Sequence, residues 1–219
     1  MKKVPTPEES NGNVGRRTQV ERSAAMKQRL IEATLDALVE VGYAELTFSH
    51  VVKRAGVSRG APLHHFASKA ALVEAAAEAL IRDLSNRVAR TWQAAKLSPD
   101  PVGSFCVSLW QECFTKRQGA MLAELNYASR HSSELALIVS RLWTEAYQSL
   151  VEIDRGDKQE GLSEADDMPI SVGRVMMMSV WFMRGMAADA HLGAAEGLFD
   201  AYLDSWIRAL RNRTDIAHG

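Results

Sequence analysis

Cysteine, proline and aromatic residues are scarce in this 219-residue chain, and each scarcity excludes something. Two cysteines, Cys106 and Cys113, are too few for a disulfide scaffold. On one helix they would stand two turns apart, roughly 10 Å, beyond the Cα separation a disulfide between them tolerates. They read as reduced thiols of a cytoplasmic protein, with redox sensing as the alternative. Six prolines and few Val or Thr runs argue against a β-rich fold, while Ala, Leu, Met, Glu and Arg favour helix. No apolar run reaches the roughly 20 residues that cross a bilayer. The longest approach, Val175 to Ala190, is broken by Arg184 and Asp189, and no apolar signal segment opens the chain.

Catalytic and metal-binding patterns are missing as well. The six histidines are His50, His64, His65, His131, His191 and His218, and none joins Cys or Glu at metal-ligand spacing. There is no nucleophile elbow, phosphate-cradling loop or dinucleotide fingerprint. The chain is expected to be no enzyme and to need neither cofactor nor metal. Its net charge of −1 gives no signal of a nucleic-acid partner, but the charge is unevenly spread. Residues 1–69 hold 11 Lys+Arg against 7 Asp+Glu, and residues 70–219 hold 15 against 20. A basic head and an acidic body suit a protein that faces DNA at one end.

Residues 46–72, LTFSHVVKRAGVSRGAPLHHFASKAAL, organise the rest. Thr47 is placed to cap a first helix, Phe48 to Ala55, with Leu46 and Val51 in the positions of a hydrophobic staple. Gly56 supplies a left-handed terminus, and Ser58 is placed to cap a second helix from about Arg59 to Phe66. Two short helices across a tight Gly-bearing turn form a helix-turn-helix, whose second helix enters the major groove. Arg59, Gly60, Ala61, Leu63, His64 and His65 would offer donors with little bulk between them. Ser68 caps a third helix, and Lys69 in its first turn suits a phosphate there.

The segment from Thr47 to Leu72, with Val51-Val52, Ala55-Gly56-Val57-Ser58-Arg59-Gly60-Ala61, His64-His65-Phe66 and Ser68-Lys69, resembles the DNA-binding segment of the tetracycline-repressor (TetR) family of transcription regulators. The resemblance implies a three-helix head, a homodimer on double-stranded operator DNA, and a helical body that binds an effector. Two positions depart from the pattern. Pro62 removes an amide that would bond to the Ser58 carbonyl and disfavours αR geometry at Ala61. Leu63 stands where many members place a phosphate-touching Tyr.

The expected organisation is all-α with about nine helices: a flexible tail at 1–20, a DNA-binding head at 21–68, a body at 69–211 and a tail at 212–219. Lys2, Lys3, Arg16 and Arg17 make the first tail a solvated segment or a basic arm. Helices are expected at Arg22–Val41, Lys69–Lys96, Pro101 to about Gly119, Ala120–Arg130, Ser133 to about Asp154, Pro169–Leu192 and Ala195–Arg211, with an acidic loop at Arg155–Asp167. Trp110, Phe114, Asn126, Trp143, Tyr147, Met177 and Trp181 are candidates to enclose an unidentified small hydrophobic or amphipathic effector, or are packed core. Arg184 is an anchor for an anionic group, or pairs with a carboxylate such as Asp189 or one across the dimer. Met176, Val180, Met183, Phe199, Tyr202 and Trp206 are the candidate dimer surface, because a helix apolar nearly all round needs cover on several sides. The functional expectation is a repressor released by its effector. The alternative is an all-α binding protein or enzyme whose helix-turn-helix is only architecture.

Overall fold

The computed structural model describes residues 18–114, 116–159, 172–189 and 196–215. The basic residues at 2, 3, 16 and 17, Pro169, His191 and most of the expected acidic loop lie outside the described residues. Within them the chain forms eight α-helices and one 3-10 turn, with no strand. They are α1 (Gln19–Glu45), α2 (Phe48–Ala55), the 3-10 turn (Pro62–His64), α3 (Lys69–Ala95), α4 (Pro101–Cys113), α5 (Lys116–Ser129), α6 (Ser133–Gln159), α7 (Val172–Asp189) and α8 (Glu196–Asp215). No helix among the described residues is long and apolar enough to cross a membrane.

Helix α1 starts earlier than its apolar period shows, because Thr18 and Glu21 close a capping box. The helical run breaks at Gly42, at φ 71° and ψ 166°, and one further turn follows. Helix α2 has the expected ends: Thr47 caps it and Gly56 closes it in the left-handed region, with the Val57 amide reaching back to the Val52 carbonyl. Leu46 and Val51 are both buried. Between α2 and α3 the expected helix from Arg59 to Phe66 is replaced by turns around the 3-10 segment. Pro62 has no amide for an i→i−4 bond, so the Ser58 carbonyl accepts from Ala61 three residues on, at 3.1 Å. Ala61 nevertheless keeps αR geometry, and Ser58 makes no side-chain cap there.

Helix α3 joins head to body. Leu72, Val73, Ala76, Leu80, Leu84 and Val88 are buried along one stripe, each large side chain contributing about 1.5–3 kcal/mol on burial. Its head end packs on α1, and the rest packs on α4 and α6. Trp92 meets the fully buried Phe105 of α4 edge-on at 5.9 Å. Asp100 and Pro101 open α4 as expected, but the helix ends at Cys113 and Phe114 turns the chain. Gly119 is no terminator. It lies inside α5, where a Cβ would come within 2.8 Å of the Ala187 Cβ on α7. Helix α6 runs past the expected Asp154 to Gln159, through residues that include good helix formers such as Arg155, Lys158 and Gln159.

Helix α7 does not present the side expected of it. Met176, Val180 and Met183 are buried within the chain's own core, and the exposed stripe holds Arg174, Met178, Trp181 and Gly185 instead. Helix α8 packs on α4, with Leu203, Ile207 and Leu210 buried. Replacing Gly119 by Val should lower stability by about 1–3 kcal/mol, since it overpacks the α5–α7 contact. Denaturant unfolding checks this, and an unchanged midpoint would mean that α5 and α7 are free to move apart.

Candidate functional site

Two regions gather the candidate side chains, one at the tip of the head and one in the body. At the tip, buried Pro62 and Phe66 fasten the turn between α2 and α3 to the head. The His65 and Phe66 amides both donate to the Pro62 carbonyl, at 3.0 and 2.8 Å. With those anchors inside, Ser58, Arg59, Gly60, Leu63 and His64 are exposed, while Ala61 and His65 are half-buried. Thr47 is exposed beside them, its hydroxyl accepting from the His50 amide while His50 Nδ1 accepts from the Thr47 amide. Sequence reasoning missed that capping role of His50, because the partner expected there is Glu or Gln. Arg59 makes no hydrogen bond or ion pair among the described residues, so its guanidinium is available. Lys69 is differently placed. Its Nζ donates to the Tyr43 carbonyl at 2.9 Å and lies 4.6 Å from the Tyr43 ring centre.

In the body, α5, α6 and α7 surround a cavity of about 600 Å³. Four expected residues meet there, Asn126, Trp143, Tyr147 and Trp181, together with Leu122, Ala123, Arg184, Gly185 and Ala188. The additional small residues were not legible as lining, since their contribution is the space they leave. Tyr147 stacks on Trp143 at 5.8 Å and meets the Trp181 ring near edge-on at 5.9 Å. The Trp181 indole N–H donates to the Tyr147 hydroxyl. The Arg184 guanidinium lies over the Trp143 ring, 4.1 Å from its centre, and also donates to Tyr147. Among the described residues Arg184 thus meets an aromatic face and a phenol, and it does not pair with Asp189. Burial lowers its pKa.

The other three expected pocket residues lie elsewhere. Phe114 is core, Met177 packs against the core, and Trp110 meets Phe199 of α8 at 5.8 Å. A second, more polar concavity lies between the start of α4 and the end of α8, where Arg211 pairs with Asp100 and holds that carboxyl below its usual pKa. Among the described residues no cluster of His, Cys, Asp or Glu could hold a metal ion.

Residues 30–76 match the model of the family described as bacterial regulatory proteins, tetR family. Residues 30–76 thus carry a TetR-family domain. It is 42% identical to the HTH-type transcriptional regulator BetI 1 of Chromohalobacter salexigens over 64 residues, 29% of this chain and 32% of that protein. The chain thus spans less than two thirds of that relative's length. To BetI 2 of the same organism it is 29% identical over 181 residues, 81% of this chain and 86% of the relative. In fold it is similar to a TetR-family regulator from Marinobacter aquaeolei, with a TM-score of 0.60 at 16% identity, covering 87% of this chain and 95% of the other. It is similar also to FadR from Bacillus subtilis, solved in complex with stearoyl-CoA, with a TM-score of 0.62 at 15% identity, covering 84% and 96%. The two relatives are named as transcriptional regulators.

Cys106 and Cys113 are free and buried. Burial pushes the Cys106 thiol up to about 11 and the Cys113 thiol up to about 12. Both stay protonated at neutral pH, which disfavours thiolate chemistry. A disulfide-exchange reagent at pH 8 should label neither thiol in the native protein and both in denaturant. Rapid native labelling would show that the core opens far more readily than its packing implies.

Proposed function

We propose that the chain is a homodimeric transcription regulator whose head binds operator DNA and whose body releases that DNA when a small molecule fills the cavity. The exposed tip carries the reading most strongly. Arg59, Gly60, Leu63 and His64 point outward from a turn fixed beneath by Pro62 and Phe66, a rigid presentation of donors and small groups to a base edge. Because the 3-10 turn is short, the groove-reading unit is this compact loop rather than two full helical turns. Lys69 supports the same surface from behind, through the Tyr43 carbonyl.

Ligand release needs a route from body to head, and α5 offers one shorter than α3. Its Leu122, Ala123 and Asn126 line the cavity, while Glu124 accepts the Tyr43 amide at 3.2 Å on the head side. Arg117, nearer the start of α5, pairs with Asp36 of α1 at 2.7 Å. A ligand that displaces α5 therefore acts on α1 directly, and two heads on one dimer convert a small shift into a changed half-site spacing. The stearoyl-CoA held by FadR supports a ligand role for a helical body of this fold.

For the dimer, the exposed apolar residues are Met178 and Trp181 on α7 and Leu198 and Tyr202 on α8. Phe182 and Trp206 are half-buried and stack at 4.9 Å between the two helices. Phe199 is half-buried too, so the interface moves from Met176, Val180 and Met183 to this outer stripe. Tyr202→Asp should give monomers by light scattering, and a stable dimer after that change would place the interface on another face. DNA binding is tested on an operator selected from random duplexes. Affinity should fall steeply with salt, and Arg59→Ala should cost about 1–3 kcal/mol and relax preference at one base position. Salt-independent binding, or none to any selected duplex, would leave the head as architecture alone.

A further inference from the structure

We infer that the cavity between α5, α6 and α7 selects an anion, an amphipathic carboxylate whose headgroup rests on Arg184, over neutral or cationic molecules of the same shape. The inference rests on the reading of this cavity as the effector pocket and names its ligand class. Arg184 carries its charge into a cavity of about 600 Å³ with apolar and aromatic walls. Among the described residues, one other arginine is half-buried, Arg87, and it donates to Asp83 at 2.8 Å and to the Glu112 carbonyl at 3.1 Å. Arg184 has no carboxylate among the described residues. Its partners are the Trp143 ring and the Tyr147 hydroxyl.

The hydrogen-bond inventory points the same way. A guanidinium has five N–H donors and no acceptor, and one phenol oxygen satisfies few of them. That oxygen also accepts from the Trp181 indole, which leaves the Tyr147 O–H itself to be donated onward. Asn126 gives one amide N–H to the Leu122 carbonyl at 2.7 Å, and its Oδ1 is one acceptor set against the several N–H groups of Arg184 and the Tyr147 O–H. The cavity thus holds a surplus of donors and one positive charge. A carboxylate accepts from a guanidinium through two parallel bonds. A quaternary ammonium would meet a like charge, and the Trp143 face that could receive it is already covered by Arg184. An uncharged headgroup would bury the guanidinium with donors unmatched.

Calorimetric titration of the intact protein with octanoate, octanol and octyltrimethylammonium tests this directly. Octanoate should bind roughly tenfold or more tightly than octanol, and the ammonium probe should bind least. Arg184→Met should erase the preference for octanoate over octanol. Arg184→Lys should keep part of it, and guards against a Met variant that fails to fold. Octanol or the ammonium probe binding the native protein as tightly as octanoate would overturn the anion assignment and leave the pocket standing. Persistence of the preference in Arg184→Met would also overturn it. Binding of none of the three would overturn the pocket reading itself, and the assignment with it.

Discussion

The backbone of Tyr43 is gripped from two sides, and the relation of head to body depends on that grip. Its amide donates to Glu124 of α5, and its carbonyl accepts from Lys69 at the start of α3. Both groups are free for this because Gly42 leaves helical geometry at φ 71°, where a side chain would be strained. A Cβ there would also meet Glu124 Oε1 at 3.4 Å. Hydrogen bonds to charged groups contribute roughly 1.5–3 kcal/mol each, more than the neighbouring surface pairs of Arg54 and Arg117 with Asp36. The backbone of one residue therefore ties α1, α3 and α5 together. The turn that carries Arg59 is built outward from them.

That junction also explains why α5 cannot be treated as a passive wall. On one side it holds Tyr43 and Asp36, and on another it closes on α7 at Gly119, where the approach leaves no room for a side chain. Its Leu122, Ala123 and Asn126 face the cavity. Close packing makes such an element shift as a unit rather than bend locally. The cavity walls and the head support are consequently parts of one rigid piece.

Much of the architecture was legible because its causes are local. Thr47, Ser68, Gly56 and the Asp100-Pro101 pair act within a few residues, and each sits where its chemistry requires. The α3 stripe was legible for the same reason, since a 3.6-residue period needs no knowledge of the partner. Gly119 was not legible, because a glycine that serves a distant contact looks, from its neighbours, like one that ends a helix. The apolar girth of α7 signals burial but gives no direction, and Met176 and Met183, expected at the dimer surface, are core. Pro62 signalled trouble for the second helix, yet the surrounding pattern favoured helix over the 3-10 turn that forms. The cavity was half legible. Its aromatic residues stood out, whereas Gly185 and Ala188 contribute by what they lack.

On the proposed reading, the two routes from cavity to head differ in what they can transmit. Helix α3 has 27 residues, about 40 Å at roughly 1.5 Å per residue, and its buried stripe is fixed against α1, α4 and α6 along that length. Moving it disturbs most of the core. Helix α5 has 14 residues, and Ala123 in the cavity wall is adjacent in sequence to Glu124 at the Tyr43 amide. A ligand that pushes on Ala123 or Asn126 displaces that carboxylate together with α5, which shifts as one piece. The bias available is bounded by the difference in ligand affinity between the two head positions. A charged headgroup held by Arg184 on α7 fixes one end of such a ligand, so that its apolar body must bear on α5. The strength of the grip on Arg184 and the push on the Tyr43 junction are then two ends of one interaction, and a molecule lacking either end would occupy the cavity without moving the head.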